Sequence, residues 1–366
     1  MSKISIVLTT FNGEKYISHC LNSIFDQTFQ DFKVLIIENA SADNTAKIIK
    51  TNYPATRDSD DHRNKLQTTN YPDGHRDSDN HRSKLELIEN KKNSGFCGGY
   101  NQGIREVIEN SEYVFILNQD IILEKNFLEE VVKFLETNPK IGALMPKIYR
   151  WDFDKNEKTN IIDSNGIKMF KNRRAIEIGQ GEKDEGQYNE IKEILGVTGA
   201  CAIFNSQALK DIEIKLNNKT EYLDENFFAY KEDVDLSLRL RIYGWNIFFL
   251  PSAKAYHDRT AKREKSLSDI SAALNRKNKS KLINYLSYKN HLSMLVKNEF
   301  LSNFIFHFLW IFFYEFKKFI FFLIFEFSTF KSLFEFFKQL PQILEKRKII
   351  MSHRKINAKE MRKWME

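Results

Sequence analysis

Residues 4–9 form an apolar run that reads as a buried strand, and the turn-prone Asn12-Gly13 closes it. Ile17, Cys20, Leu21 and Ile24 follow at i, i+3, i+4 and i+7, the spacing of one face of a helix. A second apolar run fills residues 32–37 and ends in the polar stretch Glu38-Asn39-Ala40-Ser41-Ala42-Asp43. Strand, helix and strand in that order argue for a parallel sheet, because a helical crossover is what brings a chain back to start a second strand in the same direction. In such sheets ligands bind beyond the carboxyl ends of the strands. Residues 9–12 and 38–43 fall at that edge.

The pattern continues. Residues 85–88 resume it, and 93–103 make a glycine-rich loop opening another helix. Residues 113–117 form a strand ending in Asn118-Gln119-Asp120, and 141–145, 201–204 and 247–250 are further strand candidates. A helix is expected from about residue 231 to 243, between the last two. The chain of 366 residues holds one large α/β domain, expected over 1–260, with a helical region over 261–366. A mean hydropathy of -0.48 and 29% charged residues exclude a polytopic membrane protein. Three distant cysteines without a CxxC pair argue against a disulfide framework or zinc site and favour a reducing cytosol. The N-terminal apolar run is too short for a signal-peptide core, so secretion by that route is not expected.

Two segments break the α/β pattern. TNYPATRDSDDHRNKL at 51–66 recurs as TNYPDGHRDSDNHRSKL at 69–85. Its Asp and His residues have the chemistry of a metal site, but the composition favours a duplicated polar insertion, a flexible surface loop across 51–85. From residue 300 the chain turns Phe-rich. Glu315, Lys317, Lys318 and Glu326 interrupt it before any charge-free stretch reaches the roughly 20 residues of a membrane span. On a helical wheel Asn303, His307, Glu315, Lys317, Lys318 and Glu326 cover about half the circumference. This predicts an amphipathic helix lying in a membrane interface, with helices packed on the catalytic domain or a second subunit as the alternative. Beyond Leu344 eight Lys/Arg stand against three Glu, which suits anionic headgroups. The net charge of +7 suits an anionic partner such as a nucleoside diphosphate or a lipid surface.

Four clusters carry chemistry at strand or helix ends. Asp120 follows a strand, where a carboxylate can hold Mg²⁺ or Mn²⁺ or simply cap a turn. Glu232-Asp233-Val234-Asp235 opens a helix. There acids complement the helix dipole and Asp235 can pair with Arg239, or one carboxylate serves as general base. His257 follows the last strand candidate and is either structural or a nitrogen ligand to the same metal. The glycines of 93–101 allow close approach of a ligand or tight helix packing. GxGxxG, GxxxxGK[ST] and GxSxG are all missing, which disfavours dinucleotide-binding, P-loop and α/β-hydrolase readings.

Taken in order, SIVLTTFNG, IIENASADNT, NSGFCGGYNQGI, FILNQD, VTGACAIF, LDENFFAYKEDVDLSLRLRIYGW and PSAKAYH resemble the inverting glycosyltransferases of family 2, which have the GT-A fold. IIDSNG, GQGEKDEGQY and YLSYKNHLSMLVKN resemble the rhamnosyltransferase-like branch. The resemblance implies a Rossmann-like, mostly parallel sheet flanked by helices. It implies that Thr9, Thr10, Asn12 and Glu38 hold the donor nucleoside and that Asn39, Asp43, Gly95 and Asn101 complete that wall. Asp120 stands at the last Asp of the family's DxD motif and would bind Mn²⁺ or Mg²⁺, with His257 helping to hold the metal or diphosphate. Asn118 replaces the first Asp, which implies weaker metal binding. Asp233 would be the catalytic base, Glu232 would lie near the acceptor, and Gly199 and Ala200 against the donor sugar.

The expected function is inverting transfer from dTDP-rhamnose, or next a UDP-sugar, to a hydroxyl of an envelope polysaccharide or lipid-linked saccharide. The expected setting is the cytoplasmic face of the cell membrane, with an anionic membrane surface as partner and a homo-oligomer possible. An inactive nucleotide-sugar-binding scaffold is the alternative, motivated by Asn118 and the repeat. Nucleic-acid binding is disfavoured because the aromatic residues lie in an apolar block rather than among basic residues.

Overall fold

A computed structural model describes residues 2–53, 57–58, 84–258 and 280–366. The repeat of 51–85 lies almost entirely outside these residues, and with it the metal reading of its Asp and His groups.

The parallel core is built from β1 (Ser2–Thr10), β2 (Phe32–Glu38), β3 (Leu85–Glu89) and β4 (Ser111–Asn118). Helix α1 (Ile17–Phe25) joins β1 to β2, α2 (Thr45–Asn52) follows β2, and α3 (Gly95–Val107) joins β3 to β4. In space the order is β3-β2-β1-β4, all parallel. Beyond β4 come the short β5 (Ile121–Leu123), α4 (Phe127–Thr137), β6 (Ile141–Asp152), β7 (Glu157–Ser164), β8 (Cys201–Asn205) and α5 (Ser206–Asp211). Helix α6 (Glu232–Ile242) and β9 (Asn246–His257) complete the α/β part. β8 enters antiparallel between β4 and β6, β9 runs parallel to β6, and β5 and β7 pair at the margin. This curled, mostly parallel α/β sheet is the GT-A fold.

Burial follows sequence pattern. Ile4, Ile6, Val7 and Leu8 of β1 are fully buried because helices cover both sheet faces, as a continuous apolar run requires. The glycines of α3 resolve into packing. A Cβ on Gly99 would come 2.6 Å from Thr9 Cγ2, and one on Gly103 would overlap Val7 Cγ1. Two glycines one helical turn apart therefore let α3 press directly on β1.

The C-terminal region holds α7 (Lys281–Asn298), α8 (Leu301–Phe306), α9 (Phe308–Phe325), α10 (Lys331–Ser352) and α11 (Ala358–Arg362). Met294, Phe300, Ile350, Met361 and Met365 belong to the same apolar core as the sheet. The final residue returns to the α/β part, where Glu366 N donates to Met169 O at 2.9 Å. The Phe-rich segment, expected to hold an amphipathic helix, is broken at His307 and at residues 326–330. Its polar stripe faces the protein: Asn303 and His307 are buried, and Glu315 lies 2.9 Å from His291 Nε2 and 2.8 Å from Lys318 Nζ. Phe308, Leu309, Trp310, Phe312, Phe313 and Phe316 face outward, accompanied by Lys317. The reason is local: α7 presents His291 to α9, and a buried imidazole draws the polar stripe inward. Among the described residues no helix is long and apolar enough to cross a membrane.

Candidate active site

The register of the parallel strands gathers the candidate residues. Thr9 is level with Asn118 on one side and Ile37 on the other, and Thr10 is level with Glu38. Their following loops are laced together. Asn12 adopts φ 49°, takes a bond from Ala42 N at 2.8 Å and donates its own N–H to Ser41 Oγ at 2.9 Å. Gly13 N donates to Thr45 Oγ1, and Asp43 accepts from Glu14 N and Thr45 N. These bonds to the Asp43 carboxylate outweigh its partial burial and lower its pKa. Glu38, buried at the strand end, accepts from Ala40 N and Ser41 N. The hydroxyls of Thr9 and Thr10 are buried and lack a hydrogen-bond partner.

Two expected wall residues serve another purpose. Asn101 is fully buried: its Nδ2 donates to Leu223 O at 2.8 Å and its Oδ1 accepts from Tyr222 N and Leu223 N. With both ends engaged it fastens the 222–225 segment to α3 and presents nothing to a ligand. Asn39 likewise ties β2 to the start of α3 through Asn93, Ser94 and the Gly95 carbonyl. Gly95 takes φ 75° with the Phe228 ring packed against it, so any side chain there would be strained and obstructed.

At the end of β4 the three residues of Asn118-Gln119-Asp120 divide the work. Tyr100 OH lies 3.0 Å from Asn118 Oδ1 and 2.8 Å from Leu117 O, so one hydroxyl hydrogen serves the strand end at both acceptors. Gln119 clamps Phe11 by both its N–H and its C=O at 3.0 Å. That clamp fixes the β1 loop and went unseen in the sequence, where Gln119 is simply the middle of a motif. Asp120 is a quarter exposed, with Oδ2 3.3 Å from His257 Nε2. On the far side of the ring, His257 Nδ1 lies 2.8 Å from Oδ2 of the buried Asp163. Burial opposes charge on His257, yet Asp120 and Asp163 outweigh it and push its pKa up to about 10. Sequence reasoning missed Asp163. The signal was the IIDSNG motif, but its partner is 94 residues away.

Asp120 Oδ2 and His257 Nε2 face each other directly, and a divalent cation held by this oxygen and nitrogen would take the place of the proton between them. Among the described residues no three His, Cys, Asp or Glu groups converge as a ready-made cage.

At the start of α6 the neighbouring acids point apart. Asp233 is partly exposed, and its Oδ2 accepts from Gly199 N at 3.4 Å. Asp233 is thereby seated beside Gly199 and Ala200, whose carbonyl accepts from Asn118 N at 2.9 Å. Glu232 is buried with Oε2 lacking a hydrogen-bond partner; burial, then Asp233 and Asp235, push its pKa up to about 8. Burial and the neighbouring acids thus disfavour the charged form of Glu232. Asp235 belongs to the interior, bonded to Arg239 and to Lys297 at 2.9 Å.

Residues 113–331, more than half of the chain, match glycosyl transferase family group 2, and residues 5–74 match glycosyl transferase family 2. The poly-beta-1,6-N-acetyl-D-glucosamine synthase of Staphylococcus epidermidis is 23% identical over 252 residues, 68% of this chain and 48% of that protein. Glucomannan 4-beta-mannosyltransferase 1 of Cyamopsis tetragonoloba is 23% identical over 173 residues, 46% of this chain and 29% of that protein. The chain therefore spans about half or less of the length of these relatives. The crystal structure of GalNAc-T7 with UDP, GalNAc and Mn²⁺ superposes with a TM-score of 0.55 at 11% identity, over 81% of this chain and 48% of that one, a likeness of fold. With more than half of its residues matched, the chain belongs to glycosyl transferase family group 2.

Proposed function

We propose that the protein transfers a sugar, with inversion, from a nucleoside-diphosphate donor to a hydroxyl of an envelope polysaccharide or lipid-linked saccharide. The observation that carries the reading is that the end of the strand bearing Asn118 and Asp120 is bonded through Asn118 N to Ala200, beside the Gly199 that seats Asp233, with His257 against Asp120. Asp233 takes the acceptor proton as that oxygen attacks the anomeric carbon, and the diphosphate leaves from the opposite face. Thr9, Thr10, Asn12, Glu38 and Asp43 shape the nucleoside wall, and Glu232 supports the acceptor side. Asp120 and His257 would hold Mn²⁺ or Mg²⁺, which when bound neutralises charge growing on the departing phosphate. Imidazole ligation favours Mn²⁺, the ion in the GalNAc-T7 structure.

Two donors have support. The IIDSNG and YLSYKNHLSMLVKN segments support dTDP-rhamnose, whereas the UDP in the GalNAc-T7 structure supports a UDP-sugar. A hydrolysis screen with dTDP-rhamnose, UDP-GlcNAc, UDP-GalNAc and UDP-Glc, with each metal and with EDTA, tests the reading. Release of one nucleoside diphosphate from one donor is expected. Binding of a donor without turnover by wild type, even with saccharide acceptors, favours the inactive scaffold instead.

The outward aromatic face of α8 and α9 and the basic tail support a peripheral site on an anionic cytoplasmic membrane surface. Flotation with phosphatidylglycerol vesicles is expected. A protein that ignores them and instead self-associates through Phe312 and Phe316 would assign that face to a homo-oligomer.

A further inference from the structure

Between Asp224 and Glu232 the chain makes a turn of unusual cost. Residues 225–227 form one 3₁₀ turn, and then Phe228, Tyr230 and Lys231 take φ of 62°, 73° and 73°. Three non-glycine residues in the left-handed region within four positions persist only where surrounding structure over-determines them. The last of them is the residue from which α6 starts, so this loop aims Asp233.

What holds the loop is helix α7. Asn290, fully buried, directs its amide Nδ2 at three carbonyls at once: Phe227 O at 3.0 Å, Ala229 O at 2.8 Å and Tyr230 O at 2.7 Å. Two amide hydrogens serve those three acceptors. Lys289 Nζ takes the Asn226 carbonyl and Cys97 N takes that of Phe228 at 3.1 Å. Five consecutive carbonyls, 226 to 230, are thus satisfied, four of them by two adjacent residues of α7. Two turns further along, Lys297 bonds Asp224 and Asp235, and Asn298 bonds Asp235 at 2.7 Å. Asn290 itself gains nothing at its other end, because its Oδ1 is buried without a partner.

We propose that Asn290 is a positioning residue of the transfer reaction: it holds the left-handed loop that aims Asp233, which makes α7 a working part of the site. This rests on the reading of Asp233 as base. It also gives the sequence YLSYKNHLSMLVKN a physical role, since Lys289, Asn290, Lys297 and Asn298 are the residues that reach the loop.

The test is a cycle of Asn290→Ala, Asp233→Asn and the double variant in the full chain, under single-turnover conditions with whichever of dTDP-rhamnose and UDP-GlcNAc the wild type consumes. UDP and dTDP affinities are measured alongside. Asn290→Ala is expected to lower turnover about 10²-fold, the scale of a small misplacement, with donor KM and nucleotide Kd within about twofold. Added to Asp233→Asn it is expected to cost less than about threefold, because the group it positions is gone. Equal losses in both backgrounds, unchanged turnover, or loss of nucleotide affinity in proportion to turnover would overturn the proposal. If Asn290→Ala fails to fold, Asn290→Ser, which keeps one donor, carries the same cycle with a smaller loss expected. Full turnover by Asp233→Asn removes the base reading itself, an outcome separate from the others.

Discussion

The sheet half and the helical half of this molecule differ most at their outer surfaces, since both bury ion pairs: Arg239–Asp235 and Lys147–Asp184 lie inside the first as Lys297 and Lys346 do beneath the second. In the sheet half apolar strands fill the interior and polar groups gather at one rim, where Thr9, Glu38, Asp120 and Asp233 stand. In the helical half charges occupy the interior: Lys297 and Lys346 are fully buried on Asp224 and Glu221, and Glu315 is held between His291 and Lys318. Its outer surface carries the phenylalanines of α9. The sheet half draws its stability from burial of area. The helical half depends on complete pairing of ions, since a buried charge without a partner is costly whereas a complete pair adds little net stability. The first arrangement tolerates water all round its rim; the second calls for an apolar medium or partner against its outer face.

Breaking a buried pair in the helical half sharpens the contrast most. Lys346→Met strands Glu221 and half of Asp224, and we expect a loss of about 3–5 kcal/mol in urea unfolding. A loss under about 1 kcal/mol would mean that the cluster is not the keystone of that half.

Acid is the next lever. Burial, then Lys318, push the His291 pKa down to about 4, so this residue is neutral in the folded chain. Its folded pKa lies below the ordinary value of 6.5, so its stabilising contribution is complete above 6.5 and is lost as pH falls toward 4. Burial raises the Glu315 pKa, but the Lys318 charge and the hydrogen bond from His291 outweigh it and hold Glu315 down at about 2, a contribution lost only below the ordinary carboxylate range. Protection factors in 281–325, corrected for the slower intrinsic exchange in acid, should therefore fall between pH 6.5 and 4.5 while those of β1 hold, a difference on the order of 2 kcal/mol. Uniform loosening of both regions would erase the distinction.

In the sheet half the matching perturbation is steric. Gly103→Ala forces a methyl onto Val7 and is expected to cost about 1–3 kcal/mol by thermal unfolding. The smallest stability effect belongs to the outward face. Phe312→Ser with Phe316→Ser should change stability by only about 0.5 kcal/mol each way while abolishing vesicle flotation.

Much of the sheet half was legible because its rules are local. Apolar runs and a helical spacing located β1, α1, β2 and β4 to within a residue or two, and the rim positions follow from where those runs stop. What escaped is long-range. β6 and β9 extend well beyond the apolar stretches 141–145 and 247–250, because cross-strand pairing carries polar residues such as Lys147 and Lys254 into the ladder. Asn39 and Asn101 have the right chemistry for a ligand wall, and only their bonding shows that they staple loops. Gln119 and Asp163 act through partners 108 and 94 residues away. The polar stripe of 303–326 was visible, but a helical wheel cannot tell a face toward water from one toward a buried histidine. Buried lysines are rare enough that Lys297 and Lys346 read as surface.

The central claim is that Asp233, partly exposed beside Gly199, performs proton removal and that the buried Glu232 does not. The most direct measurement compares Asp233→Asn with Glu232→Gln in acceptor-dependent turnover, with nucleotide affinity followed in parallel. The account predicts a loss of about 10²–10⁴-fold for Asp233→Asn and less than about tenfold for Glu232→Gln, with nucleotide affinity retained in both. The opposite ranking, with Glu232→Gln inactive and Asp233→Asn active, would contradict it.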